Sequence, residues 1–344
     1  MRAVVISEFG VVPTVQEVPA PDCPDDGVVL RVTATGVCRS DWHGWQGHDD
    51  DITLPHVPGH ELAGVVAAAG PRVRSWAVGD EVTVPFVCAC GTCAACLAGE
   101  QQVCERQRQP GFTDDGSFAE LVAIHHADVN LVRLPAGMSP VTAAGLGCRF
   151  ATAYRAVTVH GRVAAGDWVA VHGCGGVGLS AVMVAVAAGA RVVAVDVSAS
   201  AREAALAMGA SVALDGSGDV AAQVHEVTGG GAAVSLDALG SRATAEASIL
   251  SLRRRGRHVQ VGLLLGADTA PPLPMGRVIG WELEVYGSHG MAAHEYPAML
   301  ARIASGELDP SRLVGRTVGL DDAAGALAAF GDGSGGPGMT VVVP

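Results

Sequence analysis

Cys90, Cys93, Cys96 and Cys104 are separated by two, two and seven intervening residues, a spacing that lets four thiolates converge on one tetrahedral metal, with zinc the leading candidate. Five of the nine cysteines fall in the loop 88–104, so the cluster is no accident of composition. Disulfides or a redox centre are the competing readings. A metal closed in by four thiolates would fold its lobe and leave no position for a substrate. A second set of ligand types is scattered along the chain. Cys38 opens Cys38-Arg39-Ser40-Asp41-Trp42-His43, His60 stands in Gly59-His60-Glu61, and Cys148 stands in Gly147-Cys148-Arg149. Two thiolates and one imidazole would give a three-ligand zinc with an open fourth position, the pattern of a catalytic site. Taken singly, each of these cysteines reads more simply as a small buried hydrophobe.

The elements that must position these residues divide near residue 150. Before it lie short β-rich segments at 2–7, 28–35, 62–69, 81–86 and 117–124, separated by Pro, Gly and Asp clusters. After it, apolar strands expected at 168–172, 191–195, 211–214, 233–237, 257–261 and 282–286 alternate with helical stretches. That alternation predicts an α/β fold with a doubly wound, parallel, six-stranded sheet of the Rossmann type. Helices at 293–304 and 321–330 and a strand at 339–343 exceed the six-strand unit and are expected to return to the first domain. The expected domains are therefore 1–150 with 288–344, and 151–287. A chain of 344 residues with 49% apolar content and 46 glycines suits two tightly packed domains.

Gly173-Cys174-Gly175-Gly176-Val177-Gly178 follows the strand at 168–172 and precedes a helix expected over 179–188. In that context the glycines permit a tight turn, close approach of a pyrophosphate and close helix–strand packing. Asp196 ends the next strand, where a carboxylate accepts from both ribose hydroxyls and repels a 2′-phosphate. NAD(H) is thus expected in preference to NADP. Gly262-Leu263 and Ser288-His289 follow the ends of strands five and six, placing them on the nicotinamide side.

Cys38, the Gly59-His60-Glu61 turn, the four-cysteine loop, Cys148 and the glycine fingerprint occur in an order that resembles the zinc-dependent alcohol dehydrogenases of the medium-chain dehydrogenase/reductase superfamily. The resemblance spans essentially the whole chain. It implies a GroES-like β-rich catalytic domain with the Rossmann domain inserted, and two zinc ions per chain. By position it makes Cys38, His60 and Cys148 the catalytic ligands, and Cys90, Cys93, Cys96 and Cys104 the structural ones. Glu61 falls at a carboxylate that approaches the metal or pairs behind it, and Asp41 at an acid that orients His60. Arg39 matches a pyrophosphate contact. Ser40 and His43 match a proton relay running from the substrate hydroxyl through Ser40, the cofactor ribose and His43 to solvent. One departure is Gly338-Met339-Thr340-Val341, where many members of the family carry a basic residue.

The implied reaction is reversible oxidation of a primary or secondary alcohol, aliphatic or benzylic, with hydride passing to nicotinamide. Trp42, Trp45 and Phe86 are candidate walls of an apolar pocket. A polyol or amino-alcohol dehydrogenase is the nearest alternative. A zinc-stabilised, non-catalytic NAD or redox sensor is an alternative of another class. The net charge of −13 argues against nucleic acid as a partner, and no apolar run is long enough for a bilayer, so a cytoplasmic setting is expected. Relatives pair through the segment matching 263–285, which implies a homodimer or homotetramer.

Overall fold

The computed structural model describes residues 1–332 and 338–344. Its contacts group the chain into two units, one of residues 1–151, 290–304 and 309–344, the other of 152–289 and 305–308.

The first unit is built on a mixed seven-stranded sheet. Its order runs Val314–Gly319, Met339–Val343, Val28–Gly36, Glu61–Ala69, Glu81–Thr83 and Val132–Arg133, with Leu121–Ile124 also paired to Val28–Gly36. The central strand Val28–Gly36 is rich in β-branched residues and buried almost throughout. Val28, Leu30 and Val32 pack with Leu62, Val66, Val82, Val84, Val122 and Ile124 in one core. Antiparallel register sets Gly36 opposite Glu61, so the end of one strand lies beside the start of the next. Cys38 follows the first of these strands and His60 precedes the second, and that pairing brings them together. Three expected strands of this unit are shorter than their sequence patterns, and the 2–7 segment forms a strand only over Arg2–Val5. The 81–86 segment pairs only over Glu81–Thr83, short of Pro85, which has no N–H for a ladder, and 117–124 only over Leu121–Ile124.

The second unit holds a wholly parallel sheet in the order Val212–Asp215, Arg191–Asp196, Trp168–His172, Ala232–Asp237, Leu252–Gln260 and Glu284–Gly287. This is the doubly wound order expected of two mononucleotide-binding halves. The helix expected over 179–188 instead spans Gly176–Ala187, because Gly175 already occupies the N-cap in extended backbone. The last strand begins at Glu284 rather than 282, since Glu282 takes a left-handed conformation that ends the helix Met275–Trp281. A Cβ on Gly178 would lie 1.8 Å from the Gly173 carbonyl oxygen, whereas one on Gly175 would meet nothing within 4 Å. The third glycine is therefore required by helix–strand packing, and the second leaves open space above the turn. Among the described residues no helix is long and apolar enough to cross a membrane.

Candidate functional site

The first unit contains two clusters whose ligand atoms lie within 4.8 Å of one another: Cys38 with His60, Glu61 and Cys148, and Cys90 with Cys93, Cys96 and Cys104. In the first cluster Cys38 caps the short helix Arg39–Trp45, and Cys148 sits on a π-helical turn, Leu146–Phe150. Such turns concentrate at functional positions because they redirect one side chain without breaking the helix. Asp41, buried, accepts from the Cys38 amide at 2.8 Å, the Gly59 amide at 3.2 Å and His60 Nδ1 at 2.8 Å. That leaves His60 Nε2 turned away from Asp41, buried and without a hydrogen-bond partner. An orphaned imidazole nitrogen beside two sulfurs is a donor set suited to zinc. Ionisation agrees with this fit. The hydrogen bond from Cys148 pulls the Cys38 thiol well down, burial opposes it, and His60 helps it. The same hydrogen bond, with burial, pushes Cys148 well up. Two adjacent half-buried sulfurs resist ionising together unless a cation joins them.

Glu61 is held from behind by a residue that the spacing of motifs does not single out. Arg149 donates its amide to Glu61 at 3.0 Å and its Nε at 2.8–2.9 Å, with the guanidinium forming an ion pair at 2.6 Å. A further donation from Arg149 to the Val37 carbonyl, at 2.7 Å, fixes the guanidinium beside the Cys38 turn. Burial raises the Glu61 carboxyl and Arg149 counters it. Glu61 is marked by its place after His60, whereas the sequence signal for Arg149 is adjacency to Cys148.

The four-cysteine lobe presents Cys93 Sγ 3.4 Å from Cys96 Sγ and 3.7 Å from Cys104 Sγ. These separations exceed a disulfide bond, and all nine cysteines are free. Amides of Cys90 and Arg106 point at Cys104 Sγ, each at 3.3 Å, and the Arg106 guanidinium reaches Cys90 Sγ at 3.4 Å. The Thr92 amide draws the Cys90 thiol down to about 5, while burial pushes Cys96 up to about 12. Donors aimed at sulfur, and buried thiols that resist ionisation until a cation arrives, fit a structural zinc. Cys88 belongs to the neighbouring apolar core, where burial raises its thiol.

Ser40 and His43 lie three residues apart on the Arg39–Trp45 helix, on one face. Cys38 Sγ lies 3.9 Å from Ser40 Oγ. Burial first, then Arg39 and His48, lower His43 to about 4. Arg39 is exposed, its guanidinium 5.2 Å from the centre of the Trp42 ring. Phe86 stands edge-on to His60 at 6.2 Å. Phe112, absent from the sequence-derived set, lies closer to His60, at 5.2 Å. Trp45 requires correction. It is buried with Val4, Ile6, Val37 and Phe118, and its indole N–H donates to the Val11 carbonyl at 2.6 Å, so it is core packing and no pocket wall. Trp42 packs partly on the same core while its face meets His43 and His48. Met339, where a basic residue was sought, is buried with Ala34, Ala144 and Val341; beside it Arg316 donates to the Thr340 hydroxyl at 3.1 Å.

In the second unit Asp196 ends its strand and accepts from the Cys174 amide at 2.7 Å and the Ser198 amide at 2.8 Å. It thereby ties the glycine turn to the neighbouring strand end. Arg202 folds back to donate to the Asp196 and Val197 carbonyls and pairs with Asp215 at 3.1 Å. Gly262 packs on the Leu239–Gly240 turn, Leu263 is exposed, and the Ser288 hydroxyl is buried without a partner. His289 is half-buried, which lowers its pKa.

Arg149→Met strands the Glu61 carboxylate in a buried site and is expected to cost roughly 3–5 kcal/mol in denaturant unfolding of the zinc-loaded protein. Adding Glu61→Gln should recover part of that loss. A loss of about 1 kcal/mol or less, the level of an exposed pair, would contradict the assignment.

Comparison with known proteins agrees with this geometry. A family model described as an alcohol dehydrogenase GroES-like domain matches residues 24–136, and one described as a zinc-binding dehydrogenase matches 176–305. An alcohol dehydrogenase of Geobacillus stearothermophilus is 39% identical over 267 residues, covering 76% of this chain and 78% of its own. The solved alcohol dehydrogenase of Thermus sp. ATN1 superposes with a TM-score of 0.91 at 32% identity, covering 100% of this chain and 99% of its own. A zinc-binding dehydrogenase of Sinorhizobium meliloti 1021, solved with NADP bound, gives a TM-score of 0.87 at 28% identity, covering 100% and 99%. The chain belongs to the zinc-dependent alcohol dehydrogenases of the medium-chain dehydrogenase/reductase superfamily.

Proposed function

We propose that this alcohol dehydrogenase oxidises a primary or secondary alcohol, aliphatic or benzylic, with NAD as hydride acceptor. Cys38, His60 and Cys148 would hold the catalytic zinc, and Cys90, Cys93, Cys96 and Cys104 the structural one. The observation that carries this reading is the buried, partnerless His60 Nε2 on a residue whose ligand atom clusters with two sulfurs. Bound there, zinc supplies Lewis-acid polarisation of the substrate oxygen. The protein's own residues do the remaining work. Asp41 fixes the His60 tautomer with Nδ1–H donating, which leaves Nε2 a lone pair. Arg149 neutralises Glu61, so that the two thiolates are not joined by an unpaired carboxylate. Ser40 accepts the alcohol proton, and His43, uncharged at neutral pH, serves as the outward base. Phe86 and Phe112 exclude water on the His60 side and favour an apolar substrate.

The choice of NAD rests on Asp196, whose oxygens each retain acceptor capacity beyond the amide they already hold. Arg202 turns its Nη1 onto two carbonyls and Asp215, so its charge is already paired with a carboxylate, which makes it a weaker partner for a 2′-phosphate. A panel of primary, secondary, benzylic and polyol alcohols, followed by absorbance of the reduced cofactor, tests both points. Apolar alcohols with NAD should be preferred, and Asp196→Ala should narrow the NAD/NADP ratio of kcat/KM by roughly tenfold or more, since about 1.4 kcal/mol of selective binding is lost. A preference for polyols or for NADP would contradict the reading.

A homodimer or tetramer of dimers would use the segment 263–285. Leu263, Leu273, Met275, Ile279 and Val285 are exposed there, and no residue of the helix Met275–Trp281 is buried. The adjoining strand Glu284–Gly287 is an edge of the parallel sheet, with one side open for pairing. Sedimentation at micromolar concentration should show dimers or larger, and Ile279→Glu should weaken them. Monomer alone would refute it.

A further inference from the structure

The helix that carries Ser40 and His43 ends in a way that sets a second imidazole against the first. Gln46 is its C-cap, and Gly47 follows with φ of +73°, a left-handed conformation suited to glycine. The Gly47 amide donates to Gly44, and the His48 amide donates to His43, both at 3.0 Å. That pair of bonds is a Schellman motif, in which the residue after the glycine turns back onto the last helical turn. The backbone of His48 is thereby bonded to that of His43, and their side chains meet. His43 Nδ1 lies 3.1 Å from His48 Nδ1, and both rings stand edge-on to Trp42, at 5.0 and 5.9 Å. A contact of this length between two imidazole nitrogens requires a proton on one of them and a lone pair on the other. His43 is half-buried, whereas His48 is exposed and begins the acidic run Asp49, Asp50, Asp51.

We propose that His48 is the exit residue of the proton relay, receiving from His43 Nδ1 and releasing to water or buffer. This rests on the reading of His43 as the relay base. In the outward direction a proton arrives at His43 Nε2 while the proton on its Nδ1 passes to His48 Nδ1. His48, then doubly protonated, loses its Nε2 proton to a buffer base. One proton enters, one leaves, and exchange with water resets the two tautomers. The charged groups acting on His43 favour this direction. Burial and the Arg39 guanidinium disfavour a cation on His43, with the Cys38 sulfur opposing them, while His48 is exposed and precedes three aspartates in sequence. An imidazole held by a C-cap also keeps its partner atom in place without a long, flexible side chain.

The test compares His48→Gln and His43→Gln in the zinc-loaded protein. Glutamine keeps a hydrogen-bonding group at each position but cannot carry a proton through. At low buffer concentration, His48→Gln is expected to slow turnover roughly tenfold, a modest fraction of general acid–base effects, with recovery on adding imidazole. His43→Gln should show the same buffer dependence. Histidine NMR titration of the cofactor-free protein gives a second readout. His48→Gln should move the His43 transition upward by removing a neighbouring positive charge. Buffer dependence in His43→Gln but not in His48→Gln would overturn the exit role and leave the relay intact. Absence in both would overturn the relay itself. An unmoved His43 titration in His48→Gln would show that the rings are not coupled, and would also overturn the proposal.

Discussion

The buried carboxylate of Asp41 is the constraint on which the candidate catalytic cluster depends. It bonds the amide at the start of one helix, the amide of Gly59 and the ring of His60, and so ties together segments that are nineteen residues apart. Each bond has a separate consequence. The first fixes the turn that presents Cys38, the second fixes the strand entry, and the third decides which imidazole nitrogen is free. Replacing such a group with an apolar one would strand three donors in a site that water does not reach. The carboxylate is tolerated in this buried place because three donors converge on it.

Behind the cluster the Glu61–Arg149 pair plays a complementary part. A lone carboxylate beside two ionisable sulfurs would concentrate negative charge in a buried site, and burial already resists it. The guanidinium cancels that charge and, through the Val37 carbonyl, anchors the segment leading to Cys38. The four-cysteine lobe solves a different problem. Its sulfurs collect amides and an arginine from neighbouring residues of the same segment, while Val129 and Asn130 pack on and bond the loop from further along the chain. One cluster is closed by its own donors, and the other is held open by the sheet.

What could be read directly follows from this difference. The four-cysteine loop and the glycine turn are local, and their spacings carry the physics of a tetrahedral shell and of a helix packed on a strand. The 1.8 Å approach at Gly178 is the reason that the fingerprint needs its third glycine. Cys38, His60 and Cys148 have no local signature; they were found through family resemblance, and the structure brings their ligand atoms together. Arg149 was passed over because its partner lies 88 residues away. Phe112 and His48 were missed for the same kind of reason: a loop and a helix cap, neither marked by periodicity, place them. Trp45 misled because an aromatic on a short helix reads the same whether it faces a pocket or a core, and here the Val11 carbonyl decides. Element ends shifted where a cap or a left-handed residue intervened, as at Gly175 and Glu282.

Metal analysis of the purified protein, wild type against Cys148→Ala, tests the central claim most directly. The account predicts two zinc ions per chain in the wild type, and one in a folded Cys148→Ala variant that has lost alcohol oxidation. One zinc in the wild type, or two zincs and undiminished oxidation in the variant, would contradict it.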